Sequence, residues 1–293
     1  MIAYNPKDWF TFIFRFHKSD TFRRLLPLLF AIGLYSWLVG YMELKFVRTT
    51  QRDLLKNLTL LHSMLTFVIS LLLVFRTNTA YERWWEGRRL WGSLVNSSRN
   101  MAIKLHAILP AGDHSDRNFF SKAIPFFAFV LRDLLQAEST RFTLDEELHP
   151  EFHDLDSGKH MPNQVARSIN ARIYRLHKEG KIDGFQLQTL LPEMQSLTEI
   201  CGACERIKNT PIPMSYSIFI KKFIFFYTMT MPLGFVFSLG YYMIPVVIFV
   251  FYVLTSIELI AEEIEDPFGS DSNDLPLRKI AENIQKHVRE ILL

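Results

Sequence analysis

Three long stretches of this 293-residue chain carry no formally charged residue. They cover residues 25–42, 58–75 and 223–257. Each of the first two has about 18 residues, or roughly 27 Å as a helix, which is close to the hydrocarbon thickness of a bilayer. The third has about 35 residues, or roughly 52 Å, and is too long for one crossing. The sequence therefore predicts a membrane protein in which the third stretch folds back on itself.

The fold-back is expected at residues 238–242, because a Ser-Leu-Gly-Tyr-Tyr sequence lies there between Pro232 and Pro245. Four transmembrane helices result. Basic residues precede the first span at Arg23–Arg24 and the third stretch at Lys221–Lys222, and such residues stay on the cytoplasmic side. The sequence thus predicts a multi-pass protein of the cell inner membrane with both termini in the cytoplasm.

The remainder of the chain is charged and amphipathic, and its apolar residues recur at helical spacing, as over 167–177 and 185–200. We predict an all-α protein in which a helical cytosolic domain joins the membrane helices. The predicted divisions are an interfacial N-terminal segment (1–24), transmembrane helices 1 and 2 (25–90), the cytosolic helical domain (91–213), transmembrane helices 3 and 4 (214–262) and a cytosolic C-terminal segment (263–293).

Composition and motifs argue against several functions. A net charge of +3 with scattered basic residues predicts no nucleic-acid partner. Neither a phosphate-binding glycine loop nor a nucleophile or zinc signature is present, so we predict neither an enzyme nor a cofactor. The two cysteines, Cys201 and Cys204, are too few for a disulfide framework and are interpreted as buried thiols.

The second uncharged stretch carries a stripe of large apolar residues. Phe67, Leu71 and Phe75 recur at i, i+4 and i+8, and Ser63 and Asn78 flank them near the same line. A narrow apolar constriction flanked by small polar groups would suit a channel gate that closes by dewetting. A lipid-facing or helix-packing stripe has the same pattern. The segment alone leaves both interpretations open.

Two clusters of polar residues, one rich in histidine and one acidic, could have a function. His149 and His153 lie at i, i+4 with Asp154, Asp156 and His160 nearby. This cluster suggests a metal site, although it has no recognised zinc pattern. The acidic residues between positions 258 and 266 are expected to form a solvated helix face.

Three motifs occur in order along the chain. They are Phe75-Arg76-Thr77-Asn78 leading to Tyr81 and Arg83, Cys204–Ile207 leading to Thr210-Pro211-Ile212-Pro213, and Glu262–Gly269 followed by Asn273–Pro276. Together with four spans and a helical cytosolic domain, they resemble the bestrophin family, and specifically its bacterial branch. The likeness extends over nearly the whole chain.

The resemblance implies a homopentameric ion channel in which the second transmembrane helix of each subunit lines a central pore. The family's three-residue neck falls on Phe67, Leu71 and Phe75, with Ser63 and Asn78 at its flanks. The family's cytosolic aperture, an apolar residue before a proline, falls on Ile212 and Pro213. Prolines at 211 and 213 disfavour a regular helix there, so Ile212 is expected on a stiff turn.

Ion choice and calcium are expectations of the same kind. Animal bestrophins conduct chloride and hold calcium in an acidic stretch, onto which Asp271 and Asp274 fall here. Ser270, Ser272 and Asn273 carry no carboxylate, so this stretch offers calcium fewer charged ligands than the animal sequences do. Helix capping by Asp271 or Asp274 is the alternative to a calcium site. Bacterial relatives conduct monovalent cations, so Na⁺ and K⁺ are favoured over anions, and a non-conducting scaffold stays an alternative. The expected partners are further copies of this chain, membrane lipids and monovalent ions.

Overall fold

The computed structural model describes residues 21–46, 58–136, 155–156, 158–271 and 273–293. Within these ranges the regular structure is helical and contains no strand, so the predicted all-α class is confirmed for them. The helices are α1 (Thr21–Phe46), α2 (Leu58–Ile108), α3 (His114–Gln136), α4 (Met161–Lys178), α5 (Gly184–Asn209), α6 (Met214–Leu239), a 3₁₀ turn (Gly240–Tyr242), α7 (Met243–Glu265) and α8 (Leu277–Leu292). Helices α4 and α5 cover the two segments that the sequence predicts as helical.

Among the described residues, three helical segments are long and apolar enough to cross a membrane. They are Thr21–Phe46, Leu58–Ile108 and Met214–Glu265. Residues 1–20, which belong to the predicted interfacial segment, lie outside the described residues. The final four residues of that segment, 21–24, form the first turn of α1.

The chain divides into two compact units. We call the described residues within 21–84 and 211–266 the apolar unit, and the described residues within 85–210 and 267–293 the amphipathic unit. Helix α2 contributes its first half to the apolar unit and its second half to the amphipathic unit. The boundary predicted at Trp91 therefore falls inside one continuous helix.

The apolar unit packs α1 against α6 and α7 around a shared apolar core. The first half of α2 joins this core through Ile69 and Leu73. Polar side chains also link the helices, since Thr66 Oγ1 and Tyr227 Oη lie 2.7 Å apart and Tyr35 Oη donates to the Met229 carbonyl oxygen at 3.0 Å. Hydrogen bonds of this kind hold helices together where lipid removes the hydrophobic driving force.

Helices α6 and α7 form a hairpin around the 3₁₀ turn. Gly240 begins the turn with a φ of 55°, which an L side chain rarely adopts. At the base of the hairpin, Lys221 Nζ lies 3.0 Å from Glu262 Oε1. The third uncharged stretch therefore folds back within residues 238–242, as the sequence predicts.

The amphipathic unit packs α3 against α8, α4 and α5. Helix α8 buries one face through Ala281, Ile284 and Val288, which recur at helical spacing. Asp183 begins α5 with a capping box, because its side chain accepts from the Gln186 N–H at 2.7 Å and Gln186 Oε1 accepts from the Asp183 N–H at 2.9 Å. The capping box fixes the N-terminal end of α5, the helix that carries both cysteines.

Candidate functional site

Within the described part of the chain, nothing covers the stripe on α2. Phe67 is 71% exposed, Phe75 57% and Leu71 46%, and the flanking Ser63 and Asn78 are exposed as well. These five side chains share one side of the helix, as the i, i+4, i+8 spacing predicts. Large apolar side chains exposed in this way mark a surface that contacts another subunit or lipid, or that lines a pore.

The opposite side of α2 is buried in the apolar unit. Ile69, Leu73, Arg76 and Ala80 are each 3% exposed or less. The helix therefore turns one face to its own chain and the other outward. The outward face is wider than the stripe, because Leu60, Met64, Val68 and Val74 are also exposed. The stripe is thus the centre line of a broad uncovered surface.

The predicted aperture residues, Ile212 and Pro213, lie in the segment that connects α5 to α6. Ile212 is half-buried and Pro213, with φ −52° and ψ 126°, is the residue that precedes α6. The Ile212 N–H donates to Glu265 Oε1 at 2.7 Å. Ile212 is therefore held on a non-helical turn, and a carboxylate that sequence reasoning did not connect with it fixes its backbone.

The same carboxylate binds the arginine at the end of the stripe. Glu265 Oε2 lies 2.7 Å from Arg76 Nη2, and Glu258 Oε1 lies 3.5 Å from Arg76 Nε. Arg83 Nε also donates to the Glu265 carbonyl oxygen at 3.0 Å. Glu265 thus joins the residue after Phe75 to the backbone of Ile212.

The acidic run is only partly solvated, so the sequence interpretation is wrong for two of its members. Glu258 is 2% exposed and the Glu265 side chain 15%, because both turn toward the buried Arg76. Glu262 keeps its side chain 50% exposed and pairs with Lys221. The spacing of Glu258 and Glu265, seven residues apart on one helix, is the sequence signal that could have indicated a shared buried face.

The two calcium candidates are brought together, although in different settings. Asp274 is 3% exposed and its Oδ2 accepts from the Asp271 N–H, whereas Asp271 is exposed. The Asp274 N–H donates back to the Asp271 carbonyl oxygen at 3.2 Å. Neither carboxylate caps α8, whose preceding residue is Pro276 without a side-chain cap. The capping alternative is therefore wrong, and the pair closes a turn. Calcium needs six to eight oxygens, so these two carboxylates would form only part of a site.

The metal hypothesis around His149 changes in the structure. His149, His153 and Asp154 lie outside the described residues, while Asp156 accepts from the Gly158 N–H at 2.9 Å. His160 turns instead to α5, where its Nε2 lies 2.6 Å from Glu205 Oε1. Cys201 and Cys204 are both buried free thiols, as the sequence predicts. Burial, followed by the nearby Glu205 carboxylate, raises the pKa of Cys201 to about 12.

Comparison with known proteins agrees with the resemblance in the motifs. The sequence model of the family described as "Bacterial/Fungal Bestrophin protein" matches residues 1–290. The chain belongs to this family. A solved bestrophin homologue from Klebsiella pneumoniae has a TM-score of 0.79 to this structure at 24% identity, with 92% of this chain and 100% of that chain covered. At that identity, the likeness shows the bestrophin fold.

Two curated bestrophin relatives cover nearly the whole chain. A Synechocystis protein is 32% identical over 300 residues, which cover 98% of this chain and 93% of the relative. The YneE protein of Escherichia coli is 28% identical over 291 residues, which cover 97% and 92%. Both relatives are named voltage-dependent anion channel-forming proteins.

Proposed function

We propose that this bestrophin chain is the pore-forming subunit of a membrane ion channel and that α2 lines the pore. The observation that carries the proposal is the uncovered stripe of Phe67, Leu71 and Phe75 in the uncharged stretch of α2, whose other face is buried. A monomer would leave this stripe to lipid, whereas an assembly around an axis can enclose it. The names of the relatives as channel-forming proteins support ion conduction.

The assembly we propose is a homopentamer with its axis along the stripe. Each stripe position then becomes a ring, and three apolar rings form a hydrophobic neck. Because hydrocarbon offers an ion no replacement for its water, the neck acts as a desolvation barrier until it widens or rotates. Ser63 and Asn78 would supply small polar groups at the flanks. The remaining exposed apolar residues of α2 would meet neighbouring subunits or lipid.

A second constriction is proposed at Ile212, before Pro213. Five copies of this half-buried side chain would form an apolar aperture at the cytosolic end. The hydrogen bond from the Ile212 N–H to Glu265 supports this role, because it fixes the backbone while leaving the side chain free to set the width.

The membrane arrangement we propose has four crossings per subunit, made by α1, α2, α6 and α7. Both termini would lie in the cytoplasm, in a cell inner membrane, with lipids around the assembly. The hairpin of α6 and α7 supports the count, because it returns the chain to the side from which it came.

Monovalent cations are the favoured ions, with a chloride or anion channel as the alternative. Arg76 follows the neck directly, but it is 1% exposed and bound by two carboxylates, so its charge is not available to attract anions. The neck and aperture residues are neutral, which leaves selectivity to vestibule charges and dipoles. The anion alternative rests on the names of the curated relatives.

The deciding experiment is a recording of the purified protein in planar bilayers under asymmetric NaCl. A reversal potential near the sodium equilibrium value supports the cation channel, and one near the chloride value replaces it with the anion channel. Absence of current from protein that purifies as an intact oligomer would overturn the channel proposal in favour of a scaffold.

The neck assignment has its own test in the triple variant Phe67→Ala, Leu71→Ala and Phe75→Ala. Removing the large side chains should widen and wet the constriction, so conductance or open probability should rise. The matched control is Phe226→Ala, because Phe226 is a 64% exposed aromatic residue on α6 rather than on α2. A triple variant that conducts like the parent would contradict the neck assignment.

Calcium binding by Asp271 and Asp274 is a further proposal, supported by their proximity in one turn. Calcium would there stabilise the turn through carboxylate and carbonyl oxygens. A rise in melting temperature with added CaCl₂ that disappears in Asp271→Asn supports it, and an unchanged melting temperature refutes it.

A further inference from the structure

A nitrogen, a sulfur and an oxygen ligand converge between α4 and α5 in the amphipathic unit. His160 lies at the N-cap of α4, and Cys201 and Glu205 lie one turn apart on α5. One ligand atom from each residue lies within 4.8 Å of the other two. We propose that His160, Cys201 and Glu205 bind a transition-metal ion of the zinc class. This inference is independent of the proposed channel activity.

The donor set selects the kind of ion. Imidazole, thiolate and carboxylate are the ligands of Zn²⁺, whereas Mg²⁺ and Ca²⁺ prefer oxygen alone. Three protein ligands leave one tetrahedral position for water. The side chains of His160 and Glu205 are 31% and 32% exposed, so an ion can reach them from solvent. Cys201 is buried and forms the inner wall of the site.

The geometry needs only side-chain adjustment. Zinc bond lengths of about 2.0–2.3 Å place tetrahedral ligand atoms roughly 3.3–3.7 Å apart. The His160–Glu205 contact of 2.6 Å must therefore open slightly, and the longer separations, at most 4.8 Å, must shorten by about 1 Å. The i, i+4 spacing of Cys201 and Glu205 keeps both ligands on one face of α5 during this change.

Proton balance follows from the hydrogen bonds around His160. Its Nδ1 accepts from the Asn163 N–H at 3.2 Å, so the neutral ring carries its proton on Nε2 and donates it to Glu205. An ion at Nε2 requires that proton to move to Nδ1, which gives up the capping bond, and the Cys201 thiol releases its proton to solvent. The loss of one capping bond is small beside the binding energy of a zinc site.

The probe is Co²⁺ added to the purified, metal-stripped full-length protein. Binding to Cys201 should produce a thiolate-to-cobalt charge-transfer band in the near ultraviolet, and Zn²⁺ should displace the cobalt. Cys201→Ser should lose the band, and Glu205→Gln and His160→Gln should weaken binding by at least about 100-fold. The matched control is Cys204→Ser, which removes the neighbouring buried thiol and should keep the band.

X-ray absorption of the zinc-loaded wild-type protein provides a test that needs no variant. We expect one sulfur at about 2.3 Å and nitrogen or oxygen neighbours at about 2.0 Å. No sulfur, or two sulfurs, would overturn the three-residue site. A cobalt band that persists in Cys201→Ser, or its absence from the wild-type protein, would overturn it as well.

Discussion

Replacement of Glu265 by glutamine tests whether this carboxylate holds Arg76, at the end of the α2 stripe, to the turn at Ile212. In the parent protein its two oxygens accept from different groups, Arg76 at 2.7 Å and the Ile212 N–H at 2.7 Å. Glutamine keeps an oxygen for Ile212, but it turns its amide donors toward the guanidinium. Of the two carboxylates that bind Arg76 in the parent protein, only Glu258, at 3.5 Å, would then remain.

The expected cost follows from burial. Breaking a buried ion pair costs about 3–5 kcal/mol when one charge is left without compensation. Because the Glu265 side chain is 15% exposed and Glu258 remains, we expect a loss of about 2–3 kcal/mol in the free energy of unfolding. At about 2–4 °C per kcal/mol, the melting temperature should fall by about 4–12 °C.

The control is Glu262→Gln on the same helix. Glu262 and its partner Lys221 have side chains 50% and 49% exposed, and such surface pairs contribute about 0–1 kcal/mol. Melting of both variants in detergent, followed by tryptophan fluorescence at one heating rate, measures the difference. Equal melting temperatures for the two variants would refute the reasoning, because a buried and a surface pair would then contribute alike.

Three further outcomes are expected. The hydrogen bonds that Lys181 donates to Asp113 and Asp116 raise the pKa of Lys181. Burial raises the pKa of Asp113, but its hydrogen bonds with Lys181 and Asp116 together outweigh burial and lower it. The pair therefore stabilises the fold above the unfolded aspartate pKa of about 3.9 and below the unfolded lysine pKa of about 10.4. Lys181→Met should melt below the parent at pH 7, with the gap closing below about pH 4, and a pH-independent gap would contradict this. Because burial raises the pKa of Cys201 to about 12, metal-free folded protein should react with iodoacetamide far more slowly than unfolded protein, and equal rates would exclude the buried thiol. Ile212→Ala keeps the backbone bond to Glu265 and should raise single-channel conductance, whereas an unchanged conductance would remove Ile212 from the aperture.

Features that depend on neighbours along the chain could be predicted from the sequence. The stripe on α2 follows from helical periodicity in an uncharged segment, and the turn at Gly240 follows from a stretch too long for one crossing. Helices α4 and α5 follow from their spacing of apolar residues. In each case the deciding information lies within a few turns of helix.

Contacts between distant segments could not be predicted in this way. Arg76 meets Glu258 and Glu265 across 182 and 189 residues, so the sequence alone indicates a solvated acidic run. The sequence places His160 beside His149 and His153, whereas the structure pairs it with Glu205, 45 residues away. Both sites depend on which helix faces pack together, and a single sequence does not specify that pairing.

The hairpin of α6 and α7 has a consequence for how the protein enters a membrane. Its turn, Gly240–Tyr242, carries no charge, and no charged residue lies between positions 223 and 257. The two helices can therefore insert together, with no ionised side chain transferred across the hydrocarbon. In the topology proposed above, the Lys221–Glu262 pair then joins the ends of the hairpin on the cytoplasmic side. In that topology, insertion of α6 and α7 depends on the apolar length of one hairpin rather than on translocation of a polar loop.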